Sequence, residues 1–321
     1  MAYIDVFNGD ADGLCALHQL RLANPQESTL ITGVKRDINL VKQVQATADD
    51  VVTILDISLD KNRDALVKVL ETGADVTYVD HHFAGEIPAA QHFTSHIDTD
   101  AEICTGLIVN RMLENAWLPW AVVAAFGDNL LSTARAAAAP LDLTDDQTAQ
   151  LQELGTLLNY NGYGSTLADL YFEPADLYHR LQPHSDPFSF ISEDKTYKTL
   201  QQGYADDHQK VTAIKPHDAT NDIAIYLLPN DPFARRISGV YANELAQQSP
   251  DRAHALLSEL DDGSFLVSVR APVNNRVGAD DLCRQFETGG GRKAAAGINK
   301  LPPAELERFA AAMAAQFSSA A

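Results

Sequence analysis

Four groups of acidic and histidine residues in the first half of the sequence carry side chains that bind divalent metal ions. Carboxylate oxygens combined with imidazole nitrogens suit Mn²⁺ and similar ions. Two such ions, about 3.5–4 Å apart and sharing a carboxylate, are a common apparatus for hydrolysing phosphate esters. The residue types therefore indicate a divalent-metal site. The groups are Asn8–Gly13 (Asn-Gly-Asp-Ala-Asp-Gly), Asp56, Asp80–His82 (Asp-His-His) and Gly127–Asn129 (Gly-Asp-Asn).

The positions of these groups favour one shared site. Asp10, Asp56 and Asp80 each follow an apolar segment with the pattern of a β-strand. The carboxyl ends of strands in an open α/β sheet form the edge at which ligands bind, and a carboxylate there is costly unless it is paired or metal-bound. Singly, each group has a plainer explanation, since Asp-Gly pairs are common in turns and Asp128 alone could cap a helix. Together they predict that residues distant in sequence meet in one crevice.

Short apolar runs alternate with amphipathic segments, which predicts an α/β fold with a mostly parallel sheet and helices on both faces. A second, smaller α/β pattern follows a Pro- and Ser-containing stretch near residue 185. We expect a first domain over residues 1–188, a connecting linker helix over 189–215 and a second domain over 216–321. The main predicted strands cover residues 3–7, 29–34, 51–55, 76–79, 93–97, 223–228 and 265–270. The main predicted helices cover residues 14–22, 65–70, 102–127, 145–159, 166–181, 193–211, 237–247, 280–286 and 304–317.

Composition limits the classes of function. The chain has 321 residues and, with 24 Lys and Arg against 44 Asp and Glu, a net charge of −20. Such acidity disfavours tight binding of long nucleic acid, which depends on basic residues. We expect no membrane partner, because no apolar run reaches the roughly 18 residues of a spanning helix, and no signal peptide. Three widely spaced cysteines form neither a disulfide framework nor a zinc motif, which favours the cytoplasm.

The order of five motifs resembles that of the DHH phosphoesterase superfamily. The resemblance covers nearly the whole chain and is strongest to subfamily 1, which contains nanoRNases, pAp phosphatases, RecJ-type exonucleases and exopolyphosphatase-related proteins. It implies an α/β DHH domain followed by a smaller α/β DHH-associated domain. The matching segments are Asp10–Gly13, Asp56, Asp80–His82, Asp128 and, for the DHH-associated domain, Ser268–Arg270 with Gly289–Gly297.

The resemblance implies a centre of two Mn²⁺ ions, with Mg²⁺ or another divalent ion as alternatives. One ion would be bound by Asp10 and Asp56. The other would be bound by Asp12, Asp56, His81 and Asp128, so that Asp56 bridges the two. A hydroxide between the ions would attack the phosphorus in line.

The resemblance also implies residues that act on the substrate. His82, with Asp56, would be catalytic, and His82 would contact the substrate or the nucleophilic water. Arg270, Arg292 and the loop formed by Gly289, Gly290 and Gly291 would receive a phosphate or nucleotide in a cleft between the domains. Exposed backbone amides and a bidentate arginine both suit an anion.

Two positions depart from the family pattern. Many relatives have a histidine where this chain has Val6, and others have an aspartate where it has Asn8. We therefore expect weaker binding of the first ion, with the amide oxygen of Asn8 as a neutral substitute ligand. The glycine-rich motif of the family usually ends in histidine, where this chain has Arg292. A permanent cation there would either strengthen the binding of a terminal phosphate or change which substrate fits.

The resulting hypothesis is a cytoplasmic, Mn²⁺-dependent phosphohydrolase of small phosphorylated compounds. The candidate substrates are short oligonucleotides, pAp-like nucleotides, cyclic dinucleotides and polyphosphate. The alternative is a DHH-scaffold regulatory protein that binds a nucleotide or phosphate and has lost turnover. The oligomeric state stays open, with a homodimer among the alternatives.

Overall fold

The computed structural model describes residues 1–318 of the chain, and residues 319–321, the end of the predicted second domain, lie outside the described residues. The chain divides into two compact units, unit 1 (Met1–Gln202) and unit 2 (from Gly203 onward). The division falls inside the segment predicted as a connecting linker, residues 189–215, within a helix that spans Lys195–Thr212.

Unit 1 contains a sheet whose strands are all parallel, in the order β2-β1-β3-β4-β5. The strands are β1 (Tyr3–Phe7), β2 (Ser28–Ile31), β3 (Val51–Leu55), β4 (Asp75–Asp80) and β5 (Phe93–Ile97). The helices are α1 (Ala11–Ala23), α2 (Leu59–Glu71), α3 (Thr105–Met112), α4 (Leu118–Gly127), α5 (Leu131–Ala138), α6 (Asp145–Gly162), α7 (Pro174–Leu181), α8 (Pro187–Glu193) and α9 (Lys195–Thr212), of which α9 begins in unit 1 and ends in unit 2. Short 3₁₀ turns cover Val41–Gln43, Ala139–Leu141 and Leu167–Asp169.

Alternate residues of the strands face opposite sides of this sheet, and both sides are covered by helices. Val6 and Ile54 belong to an apolar cluster that includes Leu66 of α2. Asp5, which lies next to Val6 and therefore faces the other side, forms a buried ion pair with Arg21 of α1. The predicted α/β architecture, with a mostly parallel sheet between helices, is confirmed.

Two predicted helices of unit 1 are interrupted. The predicted helix over 102–127 is two helices, α3 and α4, because the chain turns through Glu114 and Asn115, whose φ angles of 53° and 63° are left-handed. The predicted helix over 166–181 begins with a 3₁₀ turn, and its α-helical part, α7, starts only at Pro174. Proline is favoured in the first turn of a helix because its fixed φ suits the helix and no intrahelical carbonyl is available there to accept the N–H that proline lacks.

Unit 2 contains a mixed sheet in the order β10-β11-β9-β8-β7-β6, in which only the pairing of β7 with β8 is parallel among the described residues. The strands are β6 (Asp218–Ala219), β7 (Ile223–Leu228), β8 (Ala253–Glu259), β9 (Phe265–Arg270), β10 (Gly289–Gly291) and β11 (Ala295–Leu301). The helices are α10 (Pro232–Gln248), α11 (Ala279–Cys283) and α12 (Leu306–Phe317), with a 3₁₀ turn at Pro303–Glu305. The sequence did not predict β8, β10 or β11, because they are rich in Ala and Gly, which have low strand propensity.

Two further expectations concern the whole chain. Cys15, Cys104 and Cys283 are all buried and free. Within residues 1–318, no helix has the length and apolar character required to cross a membrane.

Candidate metal centre

Asp10 and Asp12 lie where β1 passes into α1. Asp10 is the N-cap of the helix, and its Oδ1 accepts hydrogen bonds from the backbone N–H groups of Asp12 (3.0 Å) and Gly13 (3.1 Å). Gly13 is required at this turn, because a Cβ atom there would lie 2.2 Å from the carbonyl oxygen of Asn8. The two carboxylates are buried at the carboxyl edge of the sheet, as predicted.

Asp12 faces the beginning of α3. Its Oδ2 accepts a hydrogen bond from the backbone N–H of Thr105 (2.8 Å), and its Oδ1 accepts one from Gly106 (2.7 Å). A carboxylate at a helix N-terminus is stabilised by the unpaired N–H groups and by the helix dipole. The Asp12 carboxylate is therefore fixed in position in the interior, with further lone pairs on the same oxygens.

Asp56 follows β3 in a strained backbone conformation. Its φ angle is 57°, a left-handed value that costs a residue with a Cβ atom roughly 1–2 kcal/mol. A hydrogen bond from its N–H to the carbonyl of Val79 (3.0 Å) holds the backbone, and the hydroxyl of Thr105 donates to Oδ1 (3.3 Å). Residues held in rare conformations concentrate at functional sites. In this conformation the buried Asp56 carboxylate lies at the edge of the sheet.

His81 brings the carboxylates together. Its Nδ1 lies 2.8 Å from the carbonyl oxygen of Ile103, which can only accept, so Nδ1 carries the proton. In the neutral ring, the form that binds a metal ion, Nε2 has a lone pair. Nε2 lies 3.5 Å from Asp56 Oδ1, 4.0 Å from Asp12 Oδ2 and 3.9 Å from Asp128 Oδ2. Asp128 supplies its carboxylate from the C-cap of α4.

This arrangement fits a divalent cation. A neutral imidazole lone pair that faces three carboxylates is repelled by them unless a cation lies between. Nitrogen and oxygen ligands about 2.0–2.2 Å from a divalent ion are themselves about 3–4 Å apart, as are Nε2 and the three oxygens. The backbone carbonyl that holds Nδ1 is the usual outer partner of a metal-binding histidine. Asp12, Asp56 and Asp128, predicted to share an ion with His81, thus each place a carboxylate oxygen within 4.0 Å of His81 Nε2.

His82 occupies a different position from His81. Its Nδ1 donates a 2.7 Å hydrogen bond to Asp80 Oδ1 and lies 3.9 Å from Asp56 Oδ1. Asp80 is fully buried, whereas 31% of the His82 side chain is exposed. Ligand atoms of Asp56, His81 and His82 all lie within 4.8 Å of one another. A catalytic role for His82 remains a prediction.

The concentrated negative charge changes the acidity of these groups. Burial, followed by repulsion from Asp12 and the other carboxylates, raises the pKa of Asp56 well above its ordinary value. Burial also raises the pKa of Asp12, although attraction to His81 opposes the effect. A cation among these oxygens would reverse both shifts.

Asp10 has a partner that the sequence did not predict. The ammonium Nζ of Lys35 lies 2.5 Å from Asp10 Oδ2 and 2.8 Å from Asn159 Oδ1. Burial raises the pKa of Asp10, but attraction to Lys35 and the hydrogen bond outweigh it, so the pKa falls below its ordinary value. One sequence signal was present, because Lys35 directly follows the predicted strand 29–34 and thus belongs to the same edge of the sheet.

In unit 2, Arg270 lies at the end of β9, where its guanidinium donates to Asn243 Oδ1 and to the carbonyl of Gly239. Gly289 and Gly291 are part of the edge strand β10, paired with β11, and do not form the predicted loop. Both are required by packing, because a Cβ atom would lie 1.7 Å from the carbonyl oxygen of Cys283 and 2.5 Å from the Cα of Ala296, respectively.

The remaining predicted residues of unit 2 are more open. A side chain at Gly290 would meet no atom within 4 Å among the residues that the structure describes. Arg292 is exposed in the turn that joins β10 to β11. The substrate-binding roles of Arg270, Gly290 and Arg292 remain predictions.

No family model and no curated protein matches the sequence. Solved structures do match it. RecJ in complex with Mn²⁺ from Thermus thermophilus has 16% identity and a TM-score of 0.60, over 98% of this chain and 51% of RecJ. The pGpG-specific phosphodiesterase PggH from Vibrio cholerae has 13% identity and a TM-score of 0.57, over 98% of both chains. A second exonuclease RecJ, bound to manganese, has 17% identity and a TM-score of 0.52, over 98% of this chain and 89% of that one.

These likenesses establish the fold. The chain has the fold of RecJ and PggH along almost its whole length, which confirms at the level of the fold the resemblance to DHH phosphoesterases. The chain spans about half the length of the RecJ from Thermus thermophilus.

Proposed function

We propose that the chain is a divalent-metal-dependent phosphoester hydrolase of small phosphorylated substrates, acting in the cytoplasm. The observation that carries the proposal is the position of His81, whose Nε2 faces the carboxylates of Asp12, Asp56 and Asp128. Each carboxylate comes from a different part of the chain. A purely structural role for His81 needs no such convergence of negative charge.

These four residues would hold the ion, with Mn²⁺ as the leading candidate. A bound divalent ion offsets the charge of a phosphate and makes water acidic enough to serve as a nucleophile at neutral pH. Attack by that oxygen forms a bond to phosphorus, and the bond from phosphorus to the leaving alcohol breaks. Asp56 is central, because its buried carboxylate lies near both His81 and His82.

His82 would supply the proton for the leaving alcohol. Asp80 accepts the hydrogen bond from Nδ1, which fixes the ring and stabilises the imidazolium form. The protonated Nε2 then donates to the departing oxygen as the ester bond breaks. With 31% of its side chain exposed, His82 is accessible to substrate, whereas Asp80 is not.

A short, linear nucleotide is the leading substrate class. PggH, named as specific for pGpG, aligns over 98% of both chains, whereas only 51% of the Thermus RecJ is covered. A net charge of −20 also opposes binding of a long polyanion, whose affinity depends on contacts with Lys and Arg. Arg270 and Arg292 are proposed to bind the phosphate or nucleotide, since basic side chains are scarce in this protein.

The test is an assay of product release with Mn²⁺ over one set of substrates: pGpG and other linear di- to pentanucleotides, pAp, cyclic dinucleotides and short polyphosphate. We expect turnover of the linear dinucleotide, abolished by EDTA and by Asp56→Ala. Lys61→Ala, an exposed position, is the control. Binding of substrate and metal without turnover of any compound would instead support the regulatory alternative.

A further inference from the structure

The environment of Asp10 differs from that of the other predicted metal ligands, and the following inference rests on the proposed function. Asp10 Oδ1 accepts two backbone hydrogen bonds at the start of α1, and Oδ2 lies 2.5 Å from the ammonium of Lys35. Both oxygens therefore have close partners. Asp10 is also absent from the carboxylates within 4.0 Å of His81 Nε2 in residues 1–318.

Lys35 is held in place along its whole length. Its backbone N–H donates to the carbonyl of Gly162 (2.8 Å), and its carbonyl accepts from Asn8 Nδ2 (3.3 Å). Its Nζ donates to Asn159 Oδ1 (2.8 Å) and lies 5.4 Å from the ring centroid of Tyr163, a favourable distance for a cation–π contact. The charge is therefore built into the site and is not that of a mobile surface lysine.

The backbone that precedes Lys35 packs closely against the Asn8–Gly13 segment. A Cβ atom on Gly9 would lie 2.0 Å from the carbonyl oxygen of Gly33, so glycine is needed for the two segments to approach. This close contact fixes the segment that carries Lys35 beside Asp10.

The two unusual residues near Asp10 agree with this arrangement. Asn8 donates to the Lys35 carbonyl, which an ionised aspartate could not do, since a carboxylate has no proton to donate. Val6 is fully buried in the apolar cluster under the sheet and has no ligand atom. The Asn8 Oδ1 atom is buried without a hydrogen-bond partner among the described residues, but one neutral oxygen beside an ammonium ion does not make a site for a second divalent ion at Asp10.

We propose that this protein binds one divalent ion, at Asp12, Asp56, His81 and Asp128, and that the ammonium of Lys35 takes the place of the second. Of its three N–H bonds, Asp10 and Asn159 accept two. The third can donate to a phosphate oxygen. A fixed ammonium in a water-poor site stabilises charge that develops on the phosphoryl group, but it is not a Lewis acid. Lys35 is therefore a substrate-positioning and charge-stabilising residue.

The number of bound ions tests this directly. Purified protein is dialysed against saturating Mn²⁺, metal per chain is measured by mass spectrometry, and electron paramagnetic resonance distinguishes isolated from spin-coupled Mn²⁺. We expect one Mn²⁺ per chain with the spectrum of an isolated ion. Two spin-coupled ions in the wild type would overturn this inference and leave the proposed function standing. No bound Mn²⁺ would overturn both.

Substitutions test the replacement itself. The double variant Asn8→Asp with Lys35→Ala adds a carboxylate and removes the ammonium, so we expect it to bind a second Mn²⁺, spin-coupled to the first. Lys61→Ala is the matched control and keeps one ion. A folded double variant, judged by circular dichroism, that still binds one ion would contradict the claim that Lys35 occupies the place of an ion.

The single variant Lys35→Met keeps the aliphatic stem if the double variant does not fold. We expect turnover to fall about 100- to 1,000-fold, while affinity for the first Mn²⁺ changes less than about threefold. Unchanged turnover in a folded Lys35→Met protein would overturn the role assigned to the ammonium.

Discussion

Nε2 of His81 lies 3.5 Å from Oδ1 of Asp56, although α2 and β4 separate the two residues in sequence. The parallel pairing of the two strands places both residues at the same edge of the sheet. That separation is too long for a hydrogen bond and suits two ligands of one ion. The relationship leads to separate predictions about metal, proton transfer and stability.

Replacing His81 tests the ligand role. His81→Phe keeps a ring but removes both nitrogens, so we expect Mn²⁺ affinity to fall by at least 100-fold and turnover to be lost. Calorimetric titration with Mn²⁺ measures the change. The matched control is His92→Phe at an exposed histidine, whose side chain is 52% accessible. Retention of wild-type Mn²⁺ affinity in His81→Phe would place the ion elsewhere.

Replacing Asp80 tests how His82 is oriented. Asp80→Asn keeps the shape but removes the charge that stabilises a protonated His82. By analogy with a carboxylate that orients a catalytic histidine, we expect kcat to fall by roughly 10³- to 10⁴-fold. Mn²⁺ affinity should change little, which separates this effect from that of His81. An Asp80→Asn variant with unchanged kcat and a wild-type pH–rate profile would rule out His82 as the proton donor to the leaving alcohol.

Asp56 is expected to lower the stability of the metal-free protein. Asp56→Gly removes a left-handed aspartate, whose φ is 57°, and one of several mutually repelling carboxylates. The strain alone corresponds to roughly 1–2 kcal/mol, so the metal-free variant should unfold at a higher temperature than the metal-free wild type. Thermal melts in EDTA measure this. Added Mn²⁺ should raise the melting temperature of the wild type and leave the variant unchanged.

A lower melting temperature for Asp56→Gly in EDTA would contradict this account. The carboxylate would then be a net stabilising group, and its place in the site would need a structural explanation.

His18 predicts a pH dependence of folding in unit 1. Burial lowers the pKa of His18 from 6.5 to about 4, and its Nε2 lies 2.8 Å from the carbonyl of His184. Between these pKa values the unfolded chain binds more protons than the folded one, so stability falls as the pH drops from 6.5 to 4. The full effect is at most about 3 kcal/mol.

Urea unfolding at pH 5 and pH 7.5 measures this change. His18→Gln has no titrating ring and should reduce the difference between the two pH values, whereas His92→Gln should not. An equal pH dependence in wild type and His18→Gln would contradict the assignment.

The closeness of several candidate residues that are distant in the chain could be predicted from the sequence. The apolar strands that end near Asp10, Asp56 and Asp80 fix a parallel edge, and residues at such an edge converge whatever their separation along the chain. The structure accordingly places carboxylate oxygens of Asp12, Asp56 and Asp128 within 4.0 Å of His81 Nε2. The positions of these residues follow from the ends of the strands, which the pattern of apolar residues in the sequence predicts.

Three other features of the structure depend on tertiary contacts or turns that the pattern of apolar residues does not indicate. Lys35 contacts Asp10 because the segment after β2 packs against Gly9. Its position after a predicted strand indicates the shared edge of the sheet but not that contact. The break between α3 and α4 occurs at Glu114 and Asn115, where the left-handed turn has neither glycine nor proline to signal it. Gly289–Gly291 forms an edge strand because its partner β11 supplies the pairing that glycine propensity alone disfavours.

The most direct test of the central claim is anomalous diffraction at the manganese edge from crystals equilibrated with Mn²⁺. We expect an anomalous peak within about 2.0–2.3 Å of His81 Nε2 and of carboxylate oxygens from Asp12, Asp56 and Asp128. A density map with Mn²⁺ bound elsewhere, and none among these four side chains, would contradict it.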